Sequence, residues 1–537
     1  MTVLASAHVD TFVRDHLPPP DEWPDLVFAL PQLQYRPHLN AAVELLDRTE
    51  ERWGGDRPCL VTDRERWSYH RLRETVDRIA GVLSDECRVV PGSRVLLRSP
   101  NNPWLVAAWL AVLKAGAVAV TTMPLLRASE LREIIELAQV GLAVCDHRLL
   151  DELRAADPAL AVVAFGGEAA DDLTRRAADR PPAFTAVRTR ADDPCLIAFT
   201  SGTTGTPKGC VHAHRDVLAI ADTFSAHVLR PRPDDVFIGS PPIAFTFGLG
   251  GLVVFPLRAG ASTVLVEQAG PAALAEAIAR HRATVCFSAP TAYRAMLACD
   301  VTALDCLRRA VSAGEALPRS TWERWRERTG LRLIDGLGST EMLHIFISAA
   351  DDAIRPGATG RVVPGYDARV VDDDGRELPA GIVGRLAVRG PTGCRYLGDA
   401  RQRHYVRGGW NLTGDAYRRD DDGYFWYQGR LDDLIISAGY NIAGPEVEAA
   451  LLSHPDVAEA AVVGIPDDER GAIVTAFVVL QPGVSRGADT TDRLQAHAKA
   501  AIAPYKYPRS IVFLDELPRT PTGKLQRFKL REQPHHG

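Results

Sequence analysis

The period of hydrophobic and polar positions changes twice along the chain. From about residue 40 to 350, short β-rich apolar runs alternate with stretches of helical pattern. GLAVCD (141–146), LAVVAF (160–165), CLIAFTS (195–201), ASTVLVE (261–267), ATVCFSA (283–289) and LRLIDG (331–336) read as strands. ASELREIIELAQ (128–139) and PAALAEAIARHR (271–282) read as helices between them. PWLVAAWLAVLKAG (103–116) is apolar almost throughout but too short to cross a bilayer, which predicts a buried core helix. Such alternation predicts largely parallel sheets covered by helices.

Between 359 and 430 the pattern shifts to the short runs ARVVD, GRLAVRG and YFWYQG, separated by DDDG and DDG turns, which predicts antiparallel strands. A third pattern follows GRLDDLI. GPEVEAALLSHPDV has a proline near its start and apolar residues at 447, 451 and 452, the signature of a helix. AAVVGI and VTAFVVL then complete a small α/β unit. The boundary is placed so that 1–431 and 432–537 form separate domains. There is no internal repeat.

Composition narrows the class. A chain of 537 residues exceeds the size at which one core keeps growing. Hydrophobic content of 46% and charged content of 24% are ordinary globular values. A net charge of −6 leaves no basic footprint for nucleic acid. Nine dispersed cysteines show no CxxC and no metal-ligand spacing, which predicts reduced thiols. The first twenty residues lack a cationic start followed by an apolar core, so no signal peptide is expected. A cytoplasmic protein without membrane contact is the expectation.

Lysine is scarce: six residues (114, 208, 499, 506, 524, 529) among 62 Lys and Arg. Lys208 closes FTSGTTGTPKG (199–209), a run of hydroxyls and glycines behind a strand and ahead of VHAHRDVLAIADTF, which can be helical. Glycines there let backbone N–H groups approach a phosphate, hydroxyls add donors and Lys208 adds a mobile charge. The spacing is not that of a Walker A loop. DGLGSTE (335–341) sets a hydroxyl beside a carboxylate, a pair suited to a phosphate and its Mg2+, although a capped turn would look the same. SAGEAL (312–317) is another small-residue turn. TGD (413–415) and GRLDD (429–433) bracket a hairpin with an aspartate and an arginine, and PRTPTGKLQR (518–527) carries Lys524 on a polar loop.

Taken together, in this order, these stretches resemble the adenylate-forming enzymes, the acyl- and aryl-CoA synthetases among them. DGLGSTEMLHIF (335–346) and PPIAFTFGLGGLVVFPL (241–257) look closest to benzoate- and 2-aminobenzoate-CoA ligases. The resemblance implies a large N-terminal domain of two helix-flanked sheets plus a distorted β-barrel, and a small mobile C-terminal α/β domain. It implies ATP, Mg2+ and coenzyme A, an acyl-AMP intermediate, and an aromatic acid as substrate. A homodimer is the one protein assembly left open.

Residue by residue, the resemblance assigns Thr200, Ser201, Gly202, Thr203, Thr204, Gly205 and Lys208 to the β- and γ-phosphates. Thr340 and Glu341 take the α-phosphate and Mg2+. Gly314, Glu315 and Ala316 line the adenine beside Gly336 and Leu337, and Asp335 meets its amino group. Leu337 stands where many relatives carry an aromatic. Asp415 and Arg430 take the ribose hydroxyls, and Lys524 bridges the carboxylate and the α-phosphate. Asp432 matches the hinge and Gly439 the thiol tunnel, while Ile436 stands where several ligases have a lysine. Phe245, Thr246, Phe247, Gly338, His344 and Ile345 form the acid pocket. For the two phenylalanines core packing is the plain alternative, and for His344 a satisfied core histidine. The expected reaction joins an ortho-substituted benzoate (2-aminobenzoate or salicylate) to coenzyme A. A short- or medium-chain fatty acyl-CoA synthetase, an aryl-AMP ligase loading a carrier protein, and a nucleotide sensor without catalysis are the competing readings.

Overall fold

The structure is a computed structural model, and it describes residues 5–200, 207–299, 301–433, 435–437, 440–467, 470–519 and 525–532. Two large, mostly parallel sheets carry the first part of the chain. The six-stranded sheet orders its strands Ala161–Phe165, Leu142–Asp146, Arg94–Arg98, Val118–Thr122, Pro194–Thr200 and Lys208–Ala213. In the nine-stranded sheet, Arg309–Ala313 lies between Val285–Ser288 and Leu333–Gly338, all three parallel. The antiparallel hairpin Pro58–Val61 and Arg66–Ser68 closes one edge of it.

The expected helices form close to the predicted bounds, at Ala128–Ala138 and Pro271–His281. Pro103–Lys114 is buried along nearly its whole length, with Pro103 at its first position and Asn102 capping it by accepting the Leu105 N–H. ASTVLVE is strand only over Ser262–Val264. The largest departure follows the glycine-rich run. Lys208–Ala213 is a strand, antiparallel to Pro194–Thr200 with Thr200 opposite Lys208, and the helix begins only at His214. The run therefore bridges two paired strands instead of leading into a helix.

Asp367–Val371, Val383–Arg389, Trp410–Arg419 and Phe425–Arg430 make the antiparallel sheet expected from the DDDG and DDG turns. It curls against the two large sheets as a half-barrel. After residue 434, Val457–Asp467, Gly471–Leu480 and Ser510–Phe513 form a three-stranded sheet carrying the helices Gly444–Leu452 and Ala488–Ala501. Among the described residues its buried apolar side chains form clusters of their own. All nine cysteines are free thiols. Among the described residues no helix is long and apolar enough to cross a membrane.

Candidate active site

Several of the predicted residues sit where strands of the two large sheets end. Pro194–Thr200 ends at the glycine-rich run, Arg309–Ala313 at the Gly314 turn, and Leu333–Gly338 at the tip carrying Thr340 and Glu341. Carboxyl ends of parallel strands are where open α/β sheets leave a crevice for ligands.

Three parts of the fold meet around Glu341, a residue only 8% exposed. Lys208 Nζ donates to the Tyr396 hydroxyl at 3.1 Å, and that hydroxyl donates to Glu341 Oε1 at 2.6 Å. Lys208 and Glu341 stand 3.9 Å apart. His212 Nε2 lies 2.8 Å from the Thr340 carbonyl, which can only accept, so this nitrogen carries the proton. Burial pushes His212 down to about 4 and keeps it neutral. The strand that starts at Lys208 thus holds the Thr340–Glu341 tip at two points.

Asp415 and Arg430 face each other across paired strands, Arg430 Nη1 donating to Asp415 Oδ1 at 3.0 Å. Burial pushes the Asp415 carboxyl up, opposed by the Arg430 charge. Gly414, at φ +76°, leaves room for that guanidinium, since a Cβ there would lie 2.7 Å from Arg430 Nη2. Burial likewise raises Glu315, opposed first by Arg519, which donates to it at 3.2 Å. Arg519 also donates to Glu459 at 2.6 Å, so the start of PRTPTGK is tied to the SAGEAL turn.

Several polar atoms here lack protein partners. Among the described residues Thr200 Oγ1 and Asp335 Oδ1 are buried without one, and burial pushes the Asp335 carboxyl up to about 8. Gly314, at φ +91°, has nothing within 4 Å of where a Cβ would stand, and Gly314 and Ala316 are exposed beside it. A hydroxyl, a carboxylate and an open turn are groups suited to a nucleotide's phosphate, base and backbone contacts. No cluster of three metal-ligating side chains occurs among the described residues. A single carboxylate beside phosphate oxygens suits Mg2+, which keeps waters and needs few protein ligands.

A cluster of aromatic rings surrounds His344. Its ring lies 4.6 Å from Phe255, 5.5 Å from Phe224, 5.7 Å from Phe247 and 6.5 Å from Phe287, centroid to centroid. It is 2% exposed, and among the described residues neither ring nitrogen makes a well-aligned hydrogen bond, the Phe247 backbone being the nearest polar partner. Burial pushes it down to about 3, so it is a neutral polar group in an aromatic cage. Residues 246–259 run past it as continuous helical turns, opened by Phe245, whose carbonyl accepts the Leu249 N–H at 2.7 Å. Gly338 pairs with Ile345, and a Cβ on Gly338 would lie 2.7 Å from the His344 carbonyl oxygen. Gly336 leaves space for the Ile345 side chain, and Leu337 is half-buried against the core.

Ser201, Gly202, Thr203, Thr204, Gly205, Gly439 and Lys524 lie outside the described residues; Asp432 falls in the turn Leu431–Asp433. Sequence reasoning missed Tyr396, His212 and the ring residues Phe224, Phe255 and Phe287. The one local signal for Tyr396 is an aromatic set among the glycines of GPTGCRYLGD. The three phenylalanines carry none, being spaced like any core residues.

An AMP-binding enzyme profile matches residues 46–396, and an AMP-binding enzyme C-terminal domain profile matches 446–524. The benzoate–CoA ligase of Thauera aromatica is 36% identical over 512 residues, covering 93% of this chain and 97% of that protein. The crystal structure of the anthranilate CoA ligase AuaEII with anthranoyl-AMP superposes with a TM-score of 0.88 at 34% identity, over 94% of this chain and 98% of that one. A benzoate CoA ligase from Burkholderia xenovorans LB400 gives 0.85 at 33% identity, over 92% and 100%.

Proposed function

The chain belongs to the AMP-binding enzyme family as an acid–thiol ligase of the aryl-CoA kind, and on that premise we propose that its acid is an ortho-substituted benzoate, 2-aminobenzoate or salicylate. The observation that carries this is Thr246. It opens the helical run beside the His344 cage at 9% exposure, and its hydroxyl has no hydrogen-bond partner among the described residues. Thr223, deeper in a neighbouring helix, instead donates to the Ala219 carbonyl at 2.6 Å. A first-turn threonine has no such carbonyl within its helix, so its hydroxyl stays available to a ring substituent. The likeness to AuaEII, crystallised with anthranoyl-AMP, agrees with this reading.

A neutral hydrogen bond contributes roughly 0.5–1.5 kcal/mol net, and ~1.4 kcal/mol is tenfold in selectivity. Thr246→Val, which keeps the shape and drops the hydroxyl, is expected to narrow the kcat/KM ratio of 2-aminobenzoate or salicylate over benzoate by about tenfold. An unchanged ratio would mean that the hydroxyl does not read the substrate.

In the proposed first step a carboxylate oxygen of the acid attacks the α-phosphorus of ATP and pyrophosphate leaves. The CoA thiol, losing its proton, then attacks the acyl carbon and AMP leaves. Lys208, with Thr200 and the residues 201–205, holds the outer phosphates, Thr340 the α-phosphate, and Lys524 offsets charge between the two anions. Mg2+, held by Glu341, would neutralise phosphate charge. Asp415 and Arg430 take the ribose. Residues 432–537 turn about Asp432 between the steps and bring Gly439 to the thiol. The reading includes a cytoplasmic enzyme using free CoA.

Asp335 gives this reading a pH signature. Its carboxyl, pushed up to about 8, keeps a proton in the folded state that an unfolded aspartate loses near ~4. Its stability contribution is therefore complete below ~4 and declines as pH rises through the raised value. An adenine amine donating to it favours the carboxylate and lowers that pKa. AMP binding at pH 7 is accordingly expected to release protons, and affinity to rise from pH 6 to 8. Calorimetry in two buffers of different ionisation enthalpy checks this. Asp335→Asn should bind without proton release; release that persists in it would clear Asp335 of the role.

A further inference from the structure

We propose that Tyr396 is a positioning residue for the metal and phosphate site: its hydroxyl ties down one carboxylate oxygen of Glu341 and leaves the other free for Mg2+. The inference rests on the reading of Glu341 as the metal ligand and of Lys208 as a phosphate residue.

The placement of Tyr396 is built into the backbone. The Val211 N–H donates to the Arg395 carbonyl at 2.8 Å and the Leu397 N–H to the Gly209 carbonyl at 2.9 Å, with Cys210 bridged to Tyr396 between them. One short antiparallel contact therefore fixes the tyrosine against the strand that begins at Lys208. Its side chain is fully buried and packs with Cys210, Cys394 and Val406. The ring of Tyr405 meets it edge-on at 5.8 Å. The phenol has one direction left for its hydroxyl, and there it meets Glu341 Oε1 at 2.6 Å.

The hydroxyl serves two charges at once. It accepts from Lys208 Nζ at 3.1 Å and donates to Glu341, while the ammonium lies 4.9 Å from the ring centroid. Lys208 and Glu341 are thereby held 3.9 Å apart instead of closing into a direct contact that would occupy both. Glu341 Oε2 has no hydrogen-bond partner among the described residues. A carboxylate free to rotate would have to be ordered each time a cation binds, whereas one pinned through Oε1 is already oriented.

The test uses α,β-methylene-ATP, whose α–β bridge resists cleavage, titrated into the full chain at a series of Mg2+ concentrations. Tyr396→Phe keeps the ring and removes the hydroxyl; its fold is checked by thermal unfolding. It is expected to raise the Mg2+ concentration for half-maximal nucleotide binding about tenfold, the scale of one charge-assisted hydrogen bond. The loss should disappear in a Glu341→Gln background, because the hydroxyl acts through that carboxylate. A Mg2+ requirement within twofold of the parent overturns the proposal. So does a loss that adds fully to that of Glu341→Gln, which would place the hydroxyl's effect on Lys208. Glu341→Gln alone leaving the Mg2+ requirement unchanged would be a different failure, that of Glu341 as the ligand.

Discussion

Lys524→Ala is expected to cut adenylate formation from acid and ATP by about 10²–10³-fold, the range for losing one preorganised charge at a reacting centre. Thioester formation from supplied acyl-AMP should stay within a few-fold of the parent. The asymmetry follows from where charge accumulates. The first step brings a carboxylate against a polyphosphate, and a point charge between them lowers the barrier; in the second step that second anion has gone. Lys524 itself lies outside the described residues, but the chain leading to it is anchored. Arg519 donates to Glu315 on the turn after Arg309–Ala313 and to Glu459, which in turn lies 3.8 Å from Arg294. Leu525, the residue after Lys524, is bridged antiparallel to Arg519, and the Gln526 N–H donates to the Pro518 carbonyl at 2.9 Å, so the chain on both sides of the lysine is held at that anchor. Pyrophosphate exchange measures the first half-reaction and CoA turnover of synthetic acyl-AMP the second. Equal losses in both would remove Lys524 from its assigned place.

The sheets were legible because most of their strands are buried on both faces and therefore read as continuous apolar runs. Pro194–Thr200 and Val285–Ser288 fall within a residue or two of the predicted bounds. Lys208–Ala213 was not legible as a strand. Its residues run into VHAHRDVLAI, whose apolar spacing is helical, and only pairing with Pro194–Thr200 selects the extended form. The scarcity of lysine proved a marker of special environment and not of chemistry as such. It singles out Lys208 beside Glu341, but equally Lys114, which is buried against Asp77 at 2.6 Å and Asp47 at 2.9 Å and has a structural task. Asp415 and Arg430 were placed on one hairpin by sequence; that they are direct cross-strand partners depends on register. His344 matches the core reading in its burial but not in its hydrogen bonding. It is as buried as a core histidine, yet among the described residues neither nitrogen makes a well-aligned hydrogen bond. The rings caging it come from three other segments, and nothing local in Phe224, Phe255 or Phe287 distinguishes them from ordinary packing.

That cage makes Gly250→Ala the sharpest test of the acid site. A Cβ at Gly250 would lie 2.3 Å from His344 Cδ2, 2.6 Å from its Nε2 and 3.1 Å from Phe255 Cζ. The imidazole is backed by phenylalanine rings, so under the proposed acid site its expected shift is toward the acid. Overpacking of this kind costs roughly 1–3 kcal/mol, which corresponds to about ten- to hundredfold if the strain is felt in the acid complex. Gly250→Ala is therefore expected to lower kcat/KM for the acid by about that factor, with the KM for ATP nearly unchanged, since Asp335, Asp415 and Arg430 are not the residues displaced. The sign of the stability change is itself diagnostic. In a helix with open space beside it, alanine is better than glycine by ~1 kcal/mol, so an unfolding midpoint that rises together with unchanged kinetics would mean the ring has room to yield. A falling midpoint that recovers in Gly250→Ala/His344→Ala, beyond the sum of the single effects, places the conflict between these two residues.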